Sequence, residues 1–263
     1  MTRGITLLVL LMVLSPVVLL PGSQSRPFPG EPWSATRGQC PETPETPLPP
    51  ETSLRPSGAG AGAEGFPILS DDFAHAATTV LGVGESAETR YALEKGVYVL
   101  EVRRPDLVVW SLLEGTYEDV TIQVEARMLE GFSPAASGII FRYQDDENFY
   151  LFTVSNEGMY RLELVEDNRW IPLIPWTPSE AMTRRGPSTR PFASNVLRVD
   201  LAHDQVTLFV NGRNLETMVD GTFLRGRAGV AVSTFDERGA VVHFDNLVLS
   251  GSGVSGGGGE GGR

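Results

Sequence analysis

Three sets of side chains in this 263-residue sequence have the types needed for chemistry, and their spacing limits what each can do. The first is carboxylates. Hydrolysis of a glycosidic bond needs two of them across the sugar, about 5–5.5 Å apart for retention or about 6.5–9.5 Å for inversion. Glu163 and Glu166 in LELVED have the wrong spacing for one strand face, and Asp145, Asp146 and Glu147 run consecutively through a turn, where solvation accounts for them. Glu125 stands two residues from Arg127 on the same strand face, the arrangement of a structural ion pair. The second set is the histidines. His75, His203 and His243 are far apart and no Gly-x-Ser-x-Gly elbow accompanies them, so neither a nucleophile triad nor a histidine metal site is expected. A single cysteine, Cys40, excludes an intrachain disulfide or a cysteine-based cluster and leaves an intermolecular bridge as its sharper reading.

The third set suits binding. A sugar offers an apolar face to flat aromatic rings and hydroxyls to planar polar groups. In NRWIPLIPWTP, Trp170 and Trp176 bracket two prolines, which deny the segment a central-strand role. The tryptophans are either a plug on the domain or an exposed platform. Arg142 and Gln144 share one strand face opposite Ile139, Phe141 and Tyr143; with Arg127 on a neighbouring strand and Tyr150 as stacking partner they make the candidate concave ligand face. Arg184, Arg185 and Arg190 in MTRRGPSTRP form a basic cluster in an acidic domain, either a solvated loop or a rim for an acidic partner.

The elements that position these groups are strands. Val120, Ile122, Val124, Ala126 and Met128 alternate with Thr121, Gln123, Glu125 and Arg127; Leu197, Val199 and Leu201 alternate with Arg198 and Asp200. Asn211-Gly212 is the strongest hairpin signal, because both central residues must tolerate positive φ. Lys95-Gly96, Asn156-Glu157-Gly158, Glu166-Asp167-Asn168 and Asp220-Gly221 punctuate the rest. No stretch keeps a 3.6-residue apolar period. Roughly twelve or thirteen strands are expected, too many for one open sheet, so two antiparallel sheets must pack face to face.

Outside the strand-rich region the composition changes. Residues 1–25 read as a secretory signal: Arg3, an apolar run from Ile5 to Leu20 that is short of the roughly 20 residues of a spanning helix, then Ser23-Gln24-Ser25. Residues 26–66 form a Pro-rich spacer ending in a Gly/Ala joint, and residues 251–263 a Gly-rich tail. Residues 67–250 are the folded domain. Nearly all of the net charge of −12 belongs to it. An acidic chain without a basic block is a poor partner for nucleic acid, and no membrane span is expected once the signal is removed.

Three segments carry a resemblance: LSDDF (Leu69–Phe73), GIIFRYQDDENFYLFTV (Gly138–Val154), and VTLFVNGRNLETMVDGTFLRGRAGVAV (Val206–Val232) with VVHFDNLVLS (Val241–Ser250). Together they resemble the concanavalin A-like jelly roll of lectins and glucanases, including laminin G-type modules and the 3-keto-disaccharide hydrolase domain of secreted bacterial proteins. The resemblance implies an all-β, two-sheet antiparallel jelly-roll sandwich. The Glu-x-Asp-x-(x)-Glu run of the family's glucanases is absent, which argues against that activity. In such jelly rolls the first and last strands lie side by side, which would bring Asp71, Asp72, Asp245 and Asn246 to one edge with oxygens suited to structural calcium. The expected function is non-catalytic recognition of an extracellular glycan or surface protein by an exported module, with a glycoside-processing hydrolase or a purely structural module as alternatives.

Overall fold

The computed structural model describes residues 66–131, 135–183, 194–235 and 239–251. The signal, nearly all of the Pro-rich spacer, all but the first residue of the tail, Cys40 and the Arg184–Arg190 cluster lie outside the described residues. Fifteen strands and no helix are found among them. In chain order these are β1 (Pro67–Asp71), β2 (Gly84–Glu85), β3 (Thr89–Glu94), β4 (Val97–Val102), β5 (Leu107–Leu112), β6 (Val120–Gly131), β7 (Ala135–Asp145) and β8 (Asn148–Ser155). They continue with β9 (Met159–Glu166), β10 (Arg169–Pro178), β11 (Asn195–Ala202), β12 (Gln205–Val210), β13 (Arg213–Val219), β14 (Arg227–Thr234) and β15 (Ala240–Gly251).

They form two antiparallel sheets, a jelly-roll sandwich. One has nine strands in the order β13-β12-β11-β6-β15-β4-β3-β2, with β1 added beside β15; the other has six, β10-β9-β8-β7-β14-β5. The turns follow the residues that tolerate positive φ. Asn211 (φ 51) and Gly212 (φ 76) join β12 to β13, Lys95 and Gly96 join β3 to β4, and Asp167 and Asn168 join β9 to β10. The first strand does pair with the last: Asp71 lies opposite Leu247 and Ser70 opposite Val248.

Alternation sorts the side chains. Val120, Ile122, Val124 and Ala126 of β6 and Leu197, Val199 and Leu201 of β11 are buried between the sheets, where they meet Ile139, Phe141, Tyr150, Phe152, Leu162 and Leu164 of the six-stranded sheet. The opposite parity of the six-stranded sheet builds a second apolar cluster on its outer side: Trp110, Ile140, Phe149, Leu151, Val165 and Ala231, with Tyr143 and Trp170 packed against it. The outer side of the nine-stranded sheet is different. Arg103 pairs with Glu85 (2.7 Å) and Glu101 (2.9 Å), Arg104 with Glu88 (2.6 Å), Arg198 with Asp200 (3.0 Å) and Arg127 with Glu125 (3.8 Å). That face neutralises itself with solvated pairs, each worth only about 0–1 kcal/mol.

Candidate functional site

The structure does not bring the six candidate ligand-binding residues together. Arg142 has a left-handed backbone (φ 49) at the point where the β7–β8 register shifts, and this breaks the alternation on which its expected face depended. Its side chain runs inward, is 1% exposed, and donates to the carbonyls of His203 and Asp220 (3.4 Å to the latter). Tyr150 is also in the core, stacked 5.3 Å from Phe141, with its hydroxyl donating to Asp220. Burial and the Asp220 acceptor push Tyr150 up to about 12. Arg142, Tyr150 and Asp220 thus tie the two sheets together at one end. Gln144 closes the same bulge by donating to the carbonyls of Arg142 (2.9 Å) and Arg225. Arg127 lies on the other sheet, on its ion-paired outer face.

The edge expected to bind calcium is partly organised by its own backbone. Asp71, 6% exposed, accepts hydrogen bonds from the amides of Phe73 (2.7 Å) and Val80 (2.9 Å) and so fixes the loop after β1. Asp72 accepts from Ala74 N (3.1 Å), Asp245 from Asn246 N (2.7 Å), and the Asn246 amide donates to Glu125 (3.4 Å). Burial, with Glu125 and Asp72 nearby, raises Asp245 above the usual carboxylate range. Among the described residues no three His, Cys, Asp or Glu side chains are grouped so as to hold a metal ion. Replacing Asp71 by alanine strands two amides and is expected to cost about 2 kcal/mol, measured as a lowered denaturation midpoint with an unchanged slope.

Trp170 and Trp176 do share a face, the outer side of the six-stranded sheet. Their segment is a strand, not a loop: β10 is an edge strand, and its register with β9 shifts between Pro172 and Ile174 and again between Ile174 and Thr177. Pro172 and Pro175 are tolerated because, among the described residues, no strand pairs with the outer side of β10 to receive their missing N–H groups. Trp170 meets Phe149 edge-on at 5.8 Å, and Phe149 meets Trp110 at 5.2 Å, giving one end of the face an aromatic floor.

The other end is polar. Across the sheet from β9 the facing positions read Arg161, Thr153, Gly138, Ala231 and Trp110; the next row reads Ser155, Ala136, Ser233 and Val108. Small residues therefore occupy the middle. Trp176 from β10 and Phe235 from just past β14 have ring centroids 6.2 Å apart, although three strands separate β10 from β14. Flat strands at about 4.8 Å spacing would hold them roughly 19 Å apart, beyond the joint reach of the two side chains. Phe235 lies just past the end of its strand, so the edge strand β10 and the chain leaving β14 bring the two rings together on this side of the sheet. The Arg161 guanidinium lies 4.7 Å from the Trp176 centroid and 5.6 Å from that of Phe235.

Beside these rings Arg161 and Glu163 approach to 2.6 Å, with side chains 12% and 7% exposed. Glu163 faces Pro172 on one side and Leu151 on the other. Burial pushes its carboxyl up to about 7 against the pull of Arg161, and burial lowers Arg161 against the pull of Glu163. Its spacing from Glu166 argues only against an acid pair on one strand and says nothing of this pairing. The alternation in Met159–Glu166, which puts Arg161, Glu163 and Val165 on one face, is the signal that could have found it. Glu163 is the carboxylate beside Arg161 at this end of the face; at the other end Tyr143 donates to Asp146.

No family model matches the chain. Among curated proteins, a TPR repeat-containing protein of Treponema pallidum (strain Nichols) is 41% identical over 46 residues, which is 18% of this chain and 6% of that protein. Among solved structures, the carbohydrate-binding module CBM66 from Bacillus subtilis is similar with TM-score 0.50 and 17% identity, over 62% of this chain and 92% of that one. A Bacillus subtilis protein of unknown function with a galectin-like fold has TM-score 0.50 and 10% identity, over 72% of this chain and 97% of that one. At such identities the likeness shows the fold alone: a galectin-like jelly-roll sandwich.

Proposed function

We propose that the domain is an exported, non-catalytic carbohydrate-binding module whose ligand lies on the outer face of the six-stranded sheet. The observation that carries this reading is the contrast between the two outer faces. One is neutralised by its own ion pairs, whereas the other carries the part-exposed Trp170 and Trp176 beside the buried pair Arg161–Glu163. Aromatic planes suit the apolar side of a sugar ring, and a guanidinium beside a carboxyl suits its hydroxyls. One of the similar structures is itself a carbohydrate-binding module, which supports the reading without carrying it. The secretory character of residues 1–25 supports a place outside the cytoplasm. Hydrolysis is the poorer reading, because Glu163 has no second carboxylate opposite it on the described strands.

A glycan panel tests this. At least one oligosaccharide is expected to bind, and Trp176→Ala to weaken it about tenfold, the loss of one stacking face with its guanidinium neighbour. A blank panel together with capture of a protein partner would replace this reading by a protein-interaction module. Sugar release that disappears in Glu163→Gln would replace it by a hydrolase with Glu163 as its acid, the role for which a carboxyl near 7 is suited.

A further inference from the structure

At one end of the outer face of the six-stranded sheet, a cation is held between one acid and two aromatic rings. The Arg161 guanidinium carbon lies 4.7 Å from the Trp176 centroid and 5.6 Å from that of Phe235, while Nη2 is 2.6 Å from Glu163 Oε2. The charges are confined to this pair. Leu151 and Pro172 face Glu163, Thr153 faces Arg161, and Val165 follows on the same side of β9, so β8 and β10 bring no other charged group to it. A buried ion pair repays little of the desolvation it costs, and apolar side chains in these positions would serve folding as well. The two rings against its cation give the pair a different consequence.

Trp176 and Phe235 are part-exposed, whereas the Arg161 and Glu163 side chains are 12% and 7% exposed. The pair therefore reaches the surface chiefly through the rings that flank it. A cation draws an aromatic face by its charge, and a carboxylate beside it competes for that charge. With Glu163 neutral, the guanidinium charge acts on the rings alone and holds them firmly. With Glu163 ionised, the acid takes part of that attraction and the hold relaxes. Resting on the carbohydrate reading above, we propose that Arg161 is a positioning residue that sets the Trp176 ring as a sugar-stacking platform, and that gain or loss of a proton at Glu163 tightens or loosens it. Burial pushes this carboxyl up to about 7, so the platform is firm below that pH and loose above it.

The full chain is labelled with 5-fluorotryptophan, and the Trp176 fluorine resonance, identified by its loss in Trp176→Phe, is followed from pH 5 to pH 9 without ligand. A shift with its midpoint near pH 7 is expected at Trp176 and not at Trp110, four strands away along the Arg161 row. It is expected to vanish in Glu163→Gln, which stays at the low-pH position, and to shrink at least about twofold in Arg161→Lys, which lacks the flat stacking cation. A Trp176 resonance that does not titrate, or that titrates unchanged in either variant, would overturn the positioning role. Calorimetry at pH 5.5 and pH 8.5 with cellotetraose, laminaritetraose, galactotetraose and mannotetraose reads the consequence. The parent is expected to bind its tetrasaccharide about threefold more tightly at pH 5.5, and Glu163→Gln equally at both. Equal parent affinities at the two pH values would overturn the regulation and leave the carbohydrate reading standing. A blank panel beside an intact Trp176 titration would overturn the carbohydrate reading and the platform with it, while the coupling of Glu163 to Trp176 stood.

Discussion

Glu163→Gln is expected to abolish a fall in stability of about 3 kcal/mol that the parent protein shows between pH 4.5 and pH 7.5. The carboxyl titrates at about 7 in the folded chain against an ordinary value of 4.5, mainly because burial penalises its charged form. The folded state therefore holds the proton more tightly than the unfolded state. Its contribution is complete below pH 4.5, declines as the unfolded carboxyl ionises, and is lost once pH passes about 7. Arg161, 2.6 Å away, offsets only part of the burial cost. Glutamine keeps the volume and cannot ionise, so chemical denaturation at pH 5 and pH 8 should give the variant nearly equal stabilities from this position, and the parent unequal ones. An identical pH slope in both proteins would mean that Glu163 is hydrated and ionised at neutral pH.

Gly229→Ala and Gly138→Ala should each destabilise the domain by about 3 kcal/mol, the upper end of what overpacking costs. A Cβ on Gly229 would stand 2.0 Å from the Ser111 carbonyl oxygen, and one on Gly138 2.0 Å from that of Phe152. Both obstacles are backbone of a paired neighbouring strand and cannot rotate away. The strands must separate, and β14 pairs with β5 on one side and β7 on the other. Gly84→Ala is the control: nothing lies within 4 Å of its added Cβ, and the change should stay within about 0.5 kcal/mol. Equal midpoints for all three variants in urea would show that the sheet absorbs the extra methyl groups.

How much of this was legible in the sequence depended on whether a residue obeyed the two-residue period. Val120 to Ala126 and Leu197 to Leu201 did, and they are buried where the alternation put them. Asn211-Gly212 marked a hairpin because few residue pairs accept positive φ twice. The expected twelve or thirteen strands became fifteen partly because β2 is two residues long, too short to show a period. Arg142 departs from its expected face for a specific reason: one left-handed residue inside β7 reverses the facing of the residues after it, and nothing in FRYQ marks it. The prolines flanking Trp176 argued correctly against a central strand but could not distinguish a loop from an edge strand. Glu163 is invisible as a site residue while it is weighed only against other acids in sequence. Arg161 stands two residues away on its own strand, but Pro172 and Leu151 meet it through pairing of separate strands, which spacing along one strand does not record.

The position of β15 bears on when the domain can form at all. This last described strand lies between β6 on one side and β4 and β1 on the other, so the nine-stranded sheet has no continuous middle until residues 240–251 are in place. Pairings such as Ser70 with Val248 join segments separated by most of the domain, and such non-local contacts make folding slow. The strand β1 at the start of the domain has its only described pairing with β15, so the beginning of the domain finds its partner only when the end of it docks.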